Sequence, residues 1–127
     1  KDKKKRERYL NYLVFRDVHK RTLIKQRIKQ DIWYKLFEFP LIEHDKLIND
    51  IKSNNEFNNY IDKNNLQIDK FEKDIYTIKH MLSHQILFIS FHIINLKDKL
   101  NNGVEISRLS EYTLPVPVIK FIDKYLI

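Results

Sequence analysis

Cysteine is absent from this chain, and glycine occurs once, at Gly103. Without thiols there can be no disulfide scaffold, no thiolate zinc site and no iron–sulfur cluster held by cysteines. That absence is compatible with a reducing cytoplasm. Long hydrophobic stretches are missing too. The longest uncharged apolar run, Gln85 to Asn95, falls far short of a bilayer span, and no signal-peptide pattern precedes it. The reading is a soluble, intracellular chain.

What is present argues for one packed domain. The 127 residues are 43% hydrophobic and 13% aromatic, too apolar for disorder and too few for two cores. Net charge is +7, and the first eight residues carry six basic and two acidic groups, so +4 of it sits there. Residues 1–8 are expected to be a basic linker or tail, with 9–127 the domain. Such a segment has nothing to bury. A second role as a phosphate-contacting arm stays open, because counterion release rewards clustered Lys and Arg. The chain is also rich in Lys, Asn, Ile, Tyr and Phe, as AT-rich coding gives, so charge alone points only weakly to nucleic acid.

Periodicity divides the domain. Tyr9–Arg16 and Thr22–Arg27 are two β-type runs either side of the polar 17–21 segment, which predicts an antiparallel hairpin covered on both faces. Apolar residues at 47, 48 and 51 predict a short helix over Ile42–Ile51, and Phe57, Tyr60 and Ile61 a second one. Lys70–Leu82 alternates, placing Tyr76, Ile78, His80 and Leu82 on one face. Ile86–Leu96 is nearly continuous apolar, as in a central strand. The short Ser83-His84 link joins the two as a hairpin. Val118, Phe121, Ile122, Tyr125 and Leu126 mark a C-terminal amphipathic helix beginning near Pro117. The fold class is α+β, a sandwich built on a mixed sheet.

Few residues carry chemistry. His80 and His84 are four apart but lie in strand pattern with no carboxylate or thiol beside them, so no metal ligands are assigned. His92 reads as a satisfied or surface-facing histidine of the apolar strand, His19 and His44 as solvated loop positions. Trp33-Tyr34-Lys35-Leu36-Phe37-Glu38-Phe39-Pro40 reads as an edge of the core, with Glu38 oriented by a local hydrogen bond. Leu82-Ser83-His84 is a tight, polar hairpin tip, exposed and free to touch a ligand.

In order and spacing, Tyr9–Val14, Trp33–Pro40, His80–His84 and Leu114-Pro115-Val116-Pro117-Val118 resemble the C-terminal domain of the adenine DNA glycosylases, the MutY family. The likeness brackets nearly the whole chain and leaves roughly 43–72 without a counterpart. It implies a Nudix-like α/β/α sandwich that inspects 8-oxoguanine opposite a mispaired adenine, in base excision repair. It implies a bacterial, cytoplasmic, DNA-associated monomer. Its partners would be duplex DNA with that mispair and a catalytic domain in cis that carries the family's iron–sulfur cluster; the fragment itself would hold no cofactor. In that family a Phe-Ser-His tip lies against the oxidised guanine, which makes Leu82, Ser83 and His84 the DNA-binding residues here. Oxidation at C8 turns N7 into a donor, which a serine hydroxyl accepts, while a backbone N–H serves O8. His84 would donate to a phosphate oxygen and Leu82 would wedge against a base step, although leucine cannot stack as phenylalanine does.

Nudix hydrolysis needs the pattern G-x5-E-x7-R-E-U-x-E-E-x-G, U being bulky aliphatic, whose glutamates bind Mg²⁺. Between Pro40 and Asn65 there is no Arg and no paired Glu. The helix-hairpin-helix and catalytic carboxylate of a glycosylase are missing as well. No catalytic residues are assigned, and the chain is expected to be a non-enzymatic fragment of a glycosylase. Two rivals stand beside that reading: a Nudix-like protein-interaction or regulatory module without DNA contact, and a degenerate nucleotide-binding enzyme.

Overall fold

A computed structural model describes residues 4–127. In chain order the strands are β1 (Arg6–Arg16), β2 (Arg21–Thr22), β3 (Lys25–Gln26), β4 (Phe37–Glu38), β5 (Leu41–His44), β6 (Ile68–Met81), β7 (Gln85–Leu96) and β8 (Val104–Glu105). Helix α1 spans Asn55–Lys63 and α2 Val116–Phe121, the latter running into a wider turn at Ile122–Leu126. The main sheet has the order β5-β1-β7-β6, with β1 parallel to β7 and the other pairs antiparallel.

The two central strands are buried on both faces, as their continuous apolar runs require. On one face Leu10, Tyr12 and Val14 of β1 and Leu87, Ile89 and Phe91 of β7 meet Val118, Phe121 and Ile122 at the C-terminal end. Phe121 stacks on Phe91 with ring centroids 4.0 Å apart. Full burial of each such ring is worth roughly 1.5–3 kcal/mol. Pro115 is extended (φ −60°, ψ 148°) and Pro117 lies inside the first turn, where its missing N–H costs nothing. On the other face Leu13, Phe15, Ile94 and Leu96 meet Phe57 of α1. The Asn54 side chain accepts from the Phe57 amide at 2.9 Å and caps that helix, and Tyr60 stacks on Phe15.

Three expectations are corrected. The segment after β1 does not fold back as its hairpin partner: β2 pairs with β8, and β3 with β4. Asp17 is the cause. It is buried at the end of β1, its Oδ1 accepts from the amides of His19 and Arg21, and its Oδ2 accepts from Leu100, which turns the chain out of the sheet. Gly103 serves the same corner, where a Cβ would come within 2.8 Å of the Arg21 Cβ.

The predicted helix over 42–51 is instead β5 followed by a loop and a single 3-10 turn at Ile51–Ser53. Asn11 explains the change. Buried in β1, it donates from Nδ2 to Ile42 O and accepts at Oδ1 from the Ile48 amide, pinning that stretch along the sheet edge. Finally, β1 begins at Arg6, inside the segment read as a tail. The strands over 70–82 and 86–96, the helix around Phe57–Ile61 and the terminal helix stand where the periodicity put them.

Candidate functional site

The turn joining β6 to β7 closes through the Leu82 amide donating to Gln85 O at 2.8 Å. Ser83 and His84 are exposed at its apex. Leu82 is half-buried and packs against the larger core cluster, so it serves as the tip's footing.

Because β1 runs parallel to β7 with Arg6 opposite Gln85, Lys5 and Arg6 lie beside the tip. The Arg6 amide donates to His84 O at 3.3 Å, and Lys5 Nζ donates to Leu82 O at 2.9 Å. Lys79 lies on β6 just before the tip, and its Nζ stands 5.9 Å from the Phe88 ring centroid. His80 has its ring 6.2 Å from Trp33; burial first, then the charge of Lys120, holds its pKa below the usual value. Among the described residues, Lys5, Arg6, Lys29, Lys79 and Lys120 take part in no ion pair. The tip is therefore a polar point with Lys5, Arg6 and Lys79 close to it by hydrogen bond, strand pairing or chain order.

Behind it lies a buried chain of charges. Arg8, at the start of β1, binds Glu43 through Nε (2.8 Å) and Nη2 (2.7 Å), and reaches Asp31 at 3.1 Å and Gln85 at 3.2 Å. Arg27 joins the other Asp31 oxygen (2.8 Å) to Glu38 (2.9 and 3.1 Å), and the Tyr12 hydroxyl donates to Glu38 at 2.7 Å. Hydrogen bonds from Arg8 hold Glu43 below the usual carboxylate range against the opposing effect of burial, with Lys29 and Arg6 adding to the field. Burial works to raise the Asp31 carboxyl, and the two guanidiniums outweigh it, so it too is held low. Burial, then the charge of Glu38, raises the Tyr12 phenol well above its ordinary value.

This network fixes the 27–38 segment across the end of β1. Trp33 (φ 56°) and Lys35 (φ 70°) take left-handed backbone there, costly for residues with a Cβ and sustained by the surrounding bonds. Glu38 is thus oriented by distant partners, Tyr12 and Arg27, where a local hydrogen bond was expected.

The remaining histidines lie elsewhere. His92 is buried with Nε2 3.2 Å from Ser90 Oγ, and burial lowers its pKa to about 4. His44 ends β5 beside Asp45, and His19 sits in the exposed turn after β1. Lys5 and Arg6 belong to the segment left open as a phosphate-contacting arm, whereas Lys29 and Lys79 were not singled out from the sequence. The signal that joins them is the β1–β7 pairing, which links positions far apart in the chain.

A family description, the NUDIX domain, matches residues 11–124, from within β1 to the turn after α2. No curated protein matches the chain. The match overturns the expectation of a non-enzymatic fragment of a glycosylase: both helices and the main sheet are matched as a NUDIX domain, a unit in its own right. The assignment "not an enzyme" and the labels of adenine glycosylase, N-glycosyl hydrolase and base excision repair fall with it. The Mg²⁺ set of a Nudix hydrolase does not fit the residues present. Helix α1 offers Glu56 in its first turn and Asp62 near its end, and among the described residues no three His, Asp or Glu side chains cluster as metal ligands.

Proposed function

The chain belongs to the NUDIX domain family over residues 11–124, and from that premise we propose that it is a recognition domain that docks on duplex DNA through the β6–β7 tip. The observation that carries the proposal is an exposed Ser83-His84 apex flanked by Lys5, Arg6 and Lys79, none of them in an ion pair among the described residues. Clustered cations at a protruding tip suit a phosphate backbone, whose counterions are released on contact. Phosphate contacts position the domain, and Ser83 supplies the base readout. The likeness of Leu82-Ser83-His84 to the tip of adenine glycosylase C-terminal domains supports 8-oxoguanine as the base, read through its N7–H.

The test compares binding of the domain to duplexes that differ only in guanine or 8-oxoguanine, by fluorescence anisotropy over a range of salt. Affinity for both should be weak and fall with salt, by about −0.9 per phosphate contact in log–log slope. Ser83→Ala should weaken the 8-oxoguanine duplex several-fold and leave the guanine duplex unchanged, since one such hydrogen bond is worth about 0.5–1.5 kcal/mol. Equal loss on both duplexes would reduce Ser83 to a turn residue.

A second reading is a protein-interaction or regulatory domain without DNA contact. Val116 (55% exposed) and Ile119 (40% exposed) lie one turn apart on α2 and present apolar surface. The family match on its own favours this reading, because it brings the Nudix fold and no nucleic acid with it. Salt-independent anisotropy at the level of buffer alone would decide for it.

A further inference from the structure

β6 and β7 fall out of step where His92 sits. From Phe71, opposite Ile94, to Ile75, opposite His92, β6 takes four steps while β7 takes two. The surplus bulges β6 away from its partner, and such bulges re-aim the side chains around them. Beside the bulge lies a cavity of about 220 Å³, walled by Ile51 and Lys52 of the 3-10 turn, by Phe71, Lys73 and Ile75 of β6, and by His92. His92 is the register partner of Leu13, so its ring lies on the α1 face, where Ile51 of the 3-10 turn also packs.

The hydrogen bonds around this ring fix its tautomer. Asn11 donates from Nδ2 to Ile42 O, so its Oδ1 is the acceptor that takes the Ile48 amide and the Ser90 hydroxyl, each at 2.9 Å. The single hydroxyl proton of Ser90 is thereby committed. The 3.2 Å contact with His92 must then carry its proton on Nε2, which donates to Ser90 Oγ. Nδ1 is left as an acceptor with no hydrogen-bond partner among the described residues, in a residue only 4% exposed. Thr22 Oγ1 is the one described side-chain polar atom both fully enclosed and unbonded, so Nδ1 is reached from the cavity. Burial lowers the His92 pKa to about 4, which keeps the ring neutral and its lone pair available at neutral pH. At the mouth, Lys52 and Lys73 are exposed and take part in no ion pair among the described residues. The carboxylates nearby are engaged: Asp50 accepts from Ser53 Oγ at 2.7 Å, and Glu72 pairs with Asn95 and Arg16.

We infer that this cavity binds a small hydroxycarboxylate, its hydroxyl donating to His92 Nδ1 and its carboxylate held by Lys52 and Lys73. A lone acceptor at the floor calls for a donor, and the ammoniums at the mouth for an anion. Ile51, Phe71 and Ile75 leave room between them for a short carbon body. The volume lies below the range of about 300–1,000 Å³ usual for drug-sized ligands, which suits an acid of a few carbons. The site lies partway along β7, away from the tip, and the inference stands apart from the DNA reading.

The experiment titrates the domain with lactate, with propionate, which lacks the donor, and with lactamide, which lacks the charge. Ring ¹⁵N resonances of the histidines are followed by NMR at neutral pH. Lactate should bind in the millimolar range, as so few atoms allow, and shift His92 Nδ1. It should bind about three- to tenfold more tightly than propionate, the worth of one hydrogen bond. Lys73→Gln, a surface change, should weaken lactate several-fold and leave lactamide unchanged. His92→Phe keeps a ring of similar size without the acceptor and should bind lactate and propionate equally, with circular dichroism checking its fold. Equal affinity of the wild type for the two acids, or a His92 Nδ1 resonance that lactate leaves unmoved, overturns the inference whether or not the variants fold.

Discussion

Replacing Arg27 with methionine is expected to cost about 3–5 kcal/mol of folding stability, the usual effect of removing one partner from a buried ion pair. Arg27 and Glu38 are 6% and 2% exposed, so the variant leaves the Glu38 carboxylate buried with only the Tyr12 hydroxyl to satisfy it. Asp31 and the carbonyl of Ile32 lose a donor at the same time. Against a total of about 5–15 kcal/mol this is a large share, and it should lower Tm by roughly 10–20 °C in a thermal melt. Adding Glu38→Gln should restore part of the loss, because a neutral amide is cheaper to bury than an unpaired carboxylate. A shift under about 1 kcal/mol for Arg27→Met would mean that the carboxylates are solvated and the network is not what holds the 27–38 segment.

Acid should weaken the fold before its carboxylates titrate. His92 is 4% exposed, and burial depresses its pKa from 6.5 to about 4. For a base whose folded pKa is lowered, the unfolded chain takes the proton first. The stabilisation is present in full above about pH 6.5, drains away as pH falls and is gone below about pH 4. Holding the ring neutral over that interval amounts to a loss of ~3 kcal/mol. His80, depressed by burial and by Lys120, acts in the same direction. Asp31 and Glu43 are held low by their guanidinium partners, so their share persists until the pH drops below the ordinary carboxylate range and into their lowered pKa values. Urea unfolding at pH 7, 6 and 5 should show stability falling at each step, and His92→Gln should remove most of that slope while keeping a polar partner for Ser90. An unchanged slope in the variant would assign the acid sensitivity to other groups.

The sequence carried the elements whose signal is local. The continuous run Ile86–Leu96 needed two covered faces and has them, and Phe57, Tyr60 and Ile61 announced α1 through helical spacing. Where a single buried polar side chain redirects the backbone, periodicity misled. Asp17 takes three amides and turns the chain away from the hairpin that Thr22–Arg27 suggested, and Asn11 converts a helix-like 42–51 into an edge strand and loop. Such residues look like ordinary polar positions until their partners are known. The candidate site divides in the same way. Ser83 and His84 stood out as a polar turn between strong strands, and Lys5 and Arg6 as part of a basic segment, but their nearness to one another did not show. Arg6 reaches the tip only through the parallel pairing of β1 with β7, and Lys5 only through a carbonyl 77 positions away.

The most direct check on the proposed DNA interface is an amide chemical-shift map of the ¹⁵N-labelled domain titrated with a short DNA duplex. The account expects perturbations to concentrate at Lys5–Arg6, at Ser83–Gln85 and around Lys79, and to fade as salt is raised. Shifts concentrated instead at the opposite end of the sheet, in the cavity of about 760 Å³ lined by Arg16, His19, Lys20 and Ile127, would contradict it, as would a spectrum that DNA leaves unchanged.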